Sequence, residues 1–299
     1  MDATATVSPA GAAGPALRSE RAQARREAWA VLLRKPGFLI GVLILAMWAF
    51  FAIFGETVVQ AVLYDPFNDF ARRHVPPSPE HLFGTDRLGR DVLSRVIVGA
   101  RDVLLVAPLA AILGVVAGSL LGLAMGYYRG FVDEALSRVV EAFLSLPVIL
   151  VALLTLVVLG SSTLVVVLVV GILFTPIVAR TVRSAVLTER QLDYVTAAKL
   201  RGESGLYIIT REIFPNVLGP IVVELTVRFG YAIFTIATLS FLGVGIQPPS
   251  PDWGLAVSDE YTNMISGKWW PTFFPAMAIA TCVVAVNLIA DALSSVTDE

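Results

Sequence analysis

The sequence predicts an all-α protein, a polytopic bundle of about six transmembrane helices, and three observations carry that expectation. Of the 299 residues, 56% are hydrophobic and 15% charged, and the mean hydropathy is +0.77, more apolar surface than one soluble core can bury. The apolar residues gather in uncharged runs such as Pro36 to Gly55, long enough at about 1.5 Å per residue to cross roughly 30 Å of hydrocarbon. Basic residues cluster between some runs and are scarce between others, the asymmetry that orients membrane helices.

The same composition narrows function. A small net charge of −2 gives no reason to expect nucleic-acid binding. His74 and His81 sit in a hydrophilic stretch away from carboxylates, so no metal site is expected. Cys282, the single cysteine, lies in an apolar run and reads as a small buried hydrophobe.

Along the chain, residues 1–17 are rich in Ala, Gly, Pro and Thr, too poor in apolar groups to offset the entropy of ordering, so 1–20 is expected to be a disordered cytoplasmic tail. Segment 21–60 holds Arg21, Arg25, Arg26, Arg34 and Lys35 and then the first span, Pro36 to Gly55. A cleaved signal peptide fits poorly, because the apolar run is long and lacks an A-x-A site. Residues 61–100 read as an extracytoplasmic linker, 101–293 as a five-helix core and 294–299 as a C-terminal tail.

The second span, 103–128, carries Gly114, Gly118, Gly122 and Gly126 at a spacing of four, which places them on one helix face where two backbones can approach closely. The alternative is glycines that merely tolerate lipid. Ala142 to Ala179 is too long for one crossing and is interrupted by Gly160-Ser161-Ser162-Thr163, so two helices joined by a tight turn are expected. Val217 to Gly245 reads as the fifth span and Trp269 to Ala290 as the sixth, with Trp253, Trp269 and Trp270 as an interfacial belt.

Basic residues before span one, then Arg129 and Arg138, then Arg180, Arg183, Arg190, Lys199, Arg201 and Arg211, contrast with the lone Lys268 between spans five and six. This places both termini and the 180–215 segment in the cytoplasm. The linker opposes it, since Arg72, Arg73, Arg87, Arg90, Arg95 and Arg101 would lie outside.

In the cytoplasmic segment, Asp193-Tyr194-Val-Thr196-Ala197-Ala198-Lys-Leu-Arg-Gly202 reads as a short helix, expected at about 193–205, slim where Ala197 and Ala198 fall and ended by a left-handed cap at Gly202. Pro215 suits the first turn of span five. Such a helix is shaped for a partner to grip; an interfacial helix on lipid headgroups is the competing reading. In span five, Glu224 and Arg228 share a helix face. They either line a path through the bundle or lie near the cytoplasmic end and reach for water. In the linker, Thr85 or Asp86 could cap a helix in which Arg90, Asp91 and Arg95 pair locally.

Thr196-Ala197-Ala198-x3-Gly202 with Pro215 thirteen residues later resembles the EAA motif of ABC-importer permeases. Thr196 stands where the motif has an acid, Glu212 where it has isoleucine and Phe214 where it has leucine. Tyr64-Asp65-Pro66, Pro76-Pro77-Ser78, Gly84-Thr85-Asp86-x-x-Gly89-Arg90-Asp91-x-x-Ser94-Arg95, Gly126-Tyr-Tyr-x-Gly130 and Leu239-Ser-Phe-Leu-Gly243-x-Gly245-x-Gln247-Pro248-Pro249 are similar to the dipeptide, oligopeptide and nickel permease family, its C-type subunit in particular. The resemblance covers about residues 25 to 293. It implies the type I ABC-importer permease fold in a bacterial inner membrane, a coupling helix built on Tyr194, Thr196, Ala197, Ala198, Gly202 and Pro215, and transport of peptides, with nickel complexes or glutathione as same-family cargoes. It further implies a heterodimer with a second permease, two ABC ATPase subunits that hold ATP and Mg, and an extracytoplasmic solute-binding protein, with no cofactor or catalytic residue on this chain. No G-x-x-x-x-G-K-[ST], H-E-x-x-H or G-x-S-x-G occurs in the sequence. An ion-coupled secondary transporter is the alternative from another class; it would call for inverted repeats, and none is visible.

Overall fold

The computed structural model describes residues 30–62 and 70–297. The 1–20 tail, Arg21, Arg25 and Arg26, the Tyr64-Asp65-Pro66 motif and the last two residues lie outside the described residues. Helices follow as α1 (Pro36–Val62), α2 (Val92–Tyr128), α3 (Gly130–Leu144), α4 (Val148–Leu159), α5 (Thr163–Glu189), α6 (Asp193–Leu200), α7 (Gly205–Tyr207), α8 (Leu218–Phe241), α9 (Trp253–Glu260) and α10 (Trp270–Thr297). Helices α1, α2, α5, α8 and α10 are each long and apolar enough to cross a membrane, and α3 with α4 makes a pair bent by 85° that brings the total to as many as six.

That pair refines the expected third span. The turn at Gly160 falls where the sequence placed it, with Ser162 capping α5 by accepting from the Val165 N–H. At the other end, helix begins at Gly130 rather than Ala142 and breaks between Leu144 and Val148, because Pro147 keeps its predecessor out of the helical region. The 12 residues of α4 reach only about 18 Å, so the third crossing is composite.

Helix α2 begins at Val92, not near 103, and takes in what read as the end of the linker. Its N-cap is Asp91, whose carboxylate accepts from the Ser94 N–H at 2.8 Å. Thr85 and Asp86, the expected caps, do other work. Thr85 Oγ1 accepts from the Val75 N–H, and Asp86 gathers the Leu88 and Arg90 N–H groups and the Arg90 guanidinium. At the far end of the chain, residues 294–297 continue α10 instead of forming a tail.

The bundle is organised on α2 and α5, and the glycine stripe is their contact. A Cβ on Gly114 would lie 2.8 Å from the Gly171 carbonyl oxygen, on Gly118 2.6 Å from Val178 Cβ, on Gly122 2.7 Å from the Ala179 oxygen and on Gly126 2.6 Å from Val186 Cβ. The α2 backbone therefore lies directly against the backbone and valine side chains of α5, with no room for a side chain at any of the four glycines.

Two ends follow from this arrangement. At one, α6 and α7 lie beyond the ends of α2 and α5. At the other, α9 and the segment 70–91 lie together. His74 bonds Glu260 at 3.0 Å, Glu260 accepts from the Arg87 N–H at 2.7 Å, and Arg87 pairs with Asp259 at 2.6 Å. Arg72 pairs with Glu80, Arg90 and Arg95 with Asp86, Arg101 with Glu56 and His81 with Asp91. The linker's basic residues thus meet acidic partners at their own end of the bundle.

The expected tryptophan belt is corrected. Trp253 is 0% exposed and its indole N–H donates to the Val96 carbonyl of α2 at 2.9 Å; Trp270 is buried and donates to the Thr85 carbonyl at 3.0 Å. Both tie the α9 end together, and of the three only Trp269 is exposed.

Candidate functional site

The strongest candidate is the projection between α5 and α8. Leu192 leads into α6, whose Val195 and Ala198 are fully buried against Val182, Val186, Ile208, Ile209 and Ile213. Thr196, Ala197 and Leu200 face outward, Leu200 with 84% exposure. The two alanines therefore do not make one slim face: Ala198 is a packing residue and Ala197 a surface one. Gly202, at φ 78°, ends α6. Its N–H donates to the Lys199 oxygen and the Glu203 N–H to the Ala198 oxygen, at 3.0 and 3.2 Å, the Schellman pattern that a left-handed glycine permits.

The return leg is wound as a π-helix over Ile208–Ile213, which presents Ile208, Ile209 and Ile213 to α6. Pro215 then lies in the turn after it, three residues before α8 begins, rather than in the first turn of that helix. Tyr194 pins the two legs: its hydroxyl donates to Glu189 at 2.7 Å and accepts from Asn216 Nδ2 at 3.1 Å. Burial, and then the neighbouring Glu189, push the Tyr194 phenol up to about 12, so it stays a donor throughout the physiological range. Arg201 bridges Glu203 and Glu212. The result is a braced knob whose exposed tip, Thr196, Ala197, Leu200 and Gly202, carries no side-chain bond of its own to the bundle.

Within the bundle, Arg228 Nε donates to Glu224 at 2.9 Å, with side chains 11% and 13% exposed. Arg228 also lies 5.9 Å from the Phe174 ring centroid and 5.0 Å from that of Tyr231. The pair closes on itself among packed helices about 9 to 15 Å along α8, instead of reaching toward the helix end. No group of three or more His, Cys, Asp or Glu side chains is placed to hold a metal ion among the described residues.

Several polar contacts had no local signature. Arg183 grips Asp133 bidentately at 2.6 and 2.7 Å, tying α3 to α5 across 50 residues. The His74–Glu260 and Arg87–Asp259 contacts bridge 186 and 172 residues. Asp252, the N-cap of α9, is fully buried beside Ser240, with one carboxylate oxygen bonded to the Leu255 N–H and the other without a partner at hydrogen-bond geometry among the described residues. A cap residue before Trp253-Gly254 was the one sequence signal available for it.

Comparison with known proteins places this architecture. Residues 118–298 match the family described as binding-protein-dependent transport system inner membrane component. A putative peptide transport system permease protein of Brucella suis is 40% identical over 268 residues, 89% of each chain. The dipeptide transport system permease protein DppC of Alkalihalophilus pseudofirmus is 36% identical over 91% of this chain and 89% of its own. The glutathione transport system permease protein GsiD of Pectobacterium atrosepticum is 34% identical over 91% of this chain and 90% of its own. With a multi-helix membrane bundle and full-length relatives of this kind, the chain belongs to the binding-protein-dependent transport system inner membrane components, the membrane-embedded permeases of ABC importers.

Proposed function

We propose that this chain is one half of the translocation pore of a peptide importer, moving di- or oligopeptides across the inner membrane. The observation that carries the reading is the braced knob at α6. It is a short helix with a bare tip, held rigidly at the ends of α2, α5 and α8, as a lever must be if a partner is to move the bundle by pushing on it. The partners are a second permease, two ATPase subunits that bind ATP and Mg, and an extracytoplasmic binding protein; the N-terminus and the knob face the cytoplasm. ATP hydrolysis belongs to the ATPases, and this chain contributes no catalytic group. Thr196, Ala197, Leu200 and Gly202 form the docking face, Tyr194 and Ala198 brace it, and Glu224 with Arg228 borders the path.

The glutathione permease among the relatives favours a second cargo, glutathione, which is itself a small peptide with a γ linkage. Uptake of labelled dipeptides and of glutathione by the reconstituted four-subunit complex with its binding protein separates the two. Docking is tested at Gly202: a tryptophan there must adopt a left-handed backbone at a cost of about 1–2 kcal/mol and adds bulk at the tip. Gly202→Trp is expected to insert normally yet lose the ATPases on purification. Retention of both ATPases at wild-type yield would overturn the docking assignment.

A further inference from the structure

Arg190, at the C-terminal end of α5, and Lys199, in the last turn of α6, stand over one ring, that of Tyr127, at 5.8 and 5.9 Å from its centroid. The ring is held in place by the backbone of α7, where a Cβ on Gly205 would come within 3.0 Å of it. The acids nearby are committed elsewhere, Glu189 to Tyr194 and Glu203 and Glu212 to Arg201. Among the described residues neither Arg190 nor Lys199 has a side-chain hydrogen bond or an ion pair, and Arg190 Nη1 is buried without any partner. Burial, and then the Arg190 charge, lower the Lys199 pKa.

Two cations sharing one ring with no anion between them is an unfavourable arrangement unless something negative completes it. The surroundings indicate what that is. Tyr128, beside Gly205, and Leu206 and Tyr207, which follow that glycine in α7, are exposed, and aromatic residues beside basic ones mark the depth of the headgroups. Basic clefts between membrane helices are where anionic headgroups settle.

We infer that the cluster of Tyr127, Arg190 and Lys199 is a binding site for the phosphate of an anionic phospholipid. Arg190 donates to the phosphate from the guanidinium N–H groups other than the buried Nη1, Lys199 adds a point charge, and the acyl chains run along Tyr128. A lipid seated here touches the ends of α2 and α5 and both legs of the knob, so it would stiffen the lever. The inference does not depend on what the transporter carries.

Native mass spectrometry of the purified full-length chain, titrated with phosphatidylglycerol and separately with phosphatidylcholine, tests it. Phosphatidylglycerol is expected to bind at least tenfold more tightly, and Arg190→Gln with Lys199→Gln to weaken it by about thirtyfold, at about 1 kcal/mol per basic group. The exchanged pair Arg190→Lys with Lys199→Arg, which keeps both charges and guards against misfolding, should stay within about threefold of wild type. Equal affinity for the two lipids, or undiminished binding in the doubly neutral variant, would overturn the proposal. So would displacement of the lipid by millimolar inorganic phosphate, which would assign the cluster to a free anion. Loss of ATPase co-purification in the doubly neutral variant with lipid binding intact would likewise overturn it, assigning the pair to a partner's carboxylate.

Discussion

Glu224 and Arg228 illustrate how a single pair of side chains can be both an expense and a tool. Separately each costs roughly 2.5–3.5 kcal/mol at the centre of a membrane helix; joined at 2.9 Å, each screens the other. Glu224→Gln leaves the guanidinium without its anion, so it should destabilise the chain by about 3–5 kcal/mol, whereas Glu224→Gln with Arg228→Gln should recover much of that loss in thermal unfolding. If uptake and ATPase coupling are unchanged in the single variant, the pair has no part in translocation. Asp252 works in the opposite sense. Burial holds its pKa above the usual 3.8, at about 6, against the opposing pull of the Leu255 N–H. Between about pH 4 and pH 6 the folded state therefore keeps a proton that the unfolded chain has released, so stability from this group is greatest in acid and is lost as pH rises through 6. Asp252→Asn preserves a good cap and removes the ionisation; its unfolding temperature should exceed that of wild type above pH 6, with the gap closing toward pH 4.

At the scale of elements, the α2–α5 seam was visible in sequence because its signal is local: four glycines at a spacing of four need no partner to be recognised. What the spacing could not give was the partner, since Val178, Ala179, Val182 and Val186 look like any apolar helix. Gly122→Ala would drive a methyl group to 2.7 Å from the Ala179 oxygen, and the helices must separate to admit it, at about 1–3 kcal/mol. The same change at Gly37, where the nearest atom is 3.5 Å away, should be nearly silent, and thermal-shift measurements on both variants make the comparison. The third crossing was misjudged for the opposite reason. Its apolar run begins at Ala142, but helicity begins at Gly130, where charged residues such as Asp133 and Arg138 obscured it. The amphipathic α3 is held by Arg183, which lies 50 residues away. Ala198 and Pro215 were placed correctly in sequence order but not in space: Ala198 turns inward against Ile208, Ile209 and Ile213, partners that the spacing does not reveal, and the chain turns over residues 214–217 before α8 begins.

For the whole molecule, the hydropathy of the long runs was enough to specify a multi-helix bundle, and the motifs from Gly84 to Pro249 its family. The construction of the α9 end was not accessible that way, since Trp253 and Trp270 look like interfacial residues until their partners, Val96 and Thr85, are seen. Glu260 is the centre of that construction, accepting from the Arg87 N–H and from Asn263 and bonding His74. Glu260→Ala should release the 70–91 segment while leaving the α2–α5 seam closed, and limited trypsin digestion should then cut at Arg87 well before the remainder of the chain.

Those contacts also impose an order on biosynthesis. Arg87 leaves the ribosome 172 residues ahead of Asp259, an interval of about 10–30 s at ordinary elongation rates. During that interval Arg72, Arg90, Arg95 and Arg101 already have acidic partners in their own segment or in α1, while His74 and Arg87 still wait for Glu260 and Asp259 of α9. A chain truncated before Trp253 should therefore leave Arg87 open to trypsin, as Glu260→Ala does. The α9 end of the bundle is thus a late closure, in which the first loop waits for the ninth helix to complete its ion pairs.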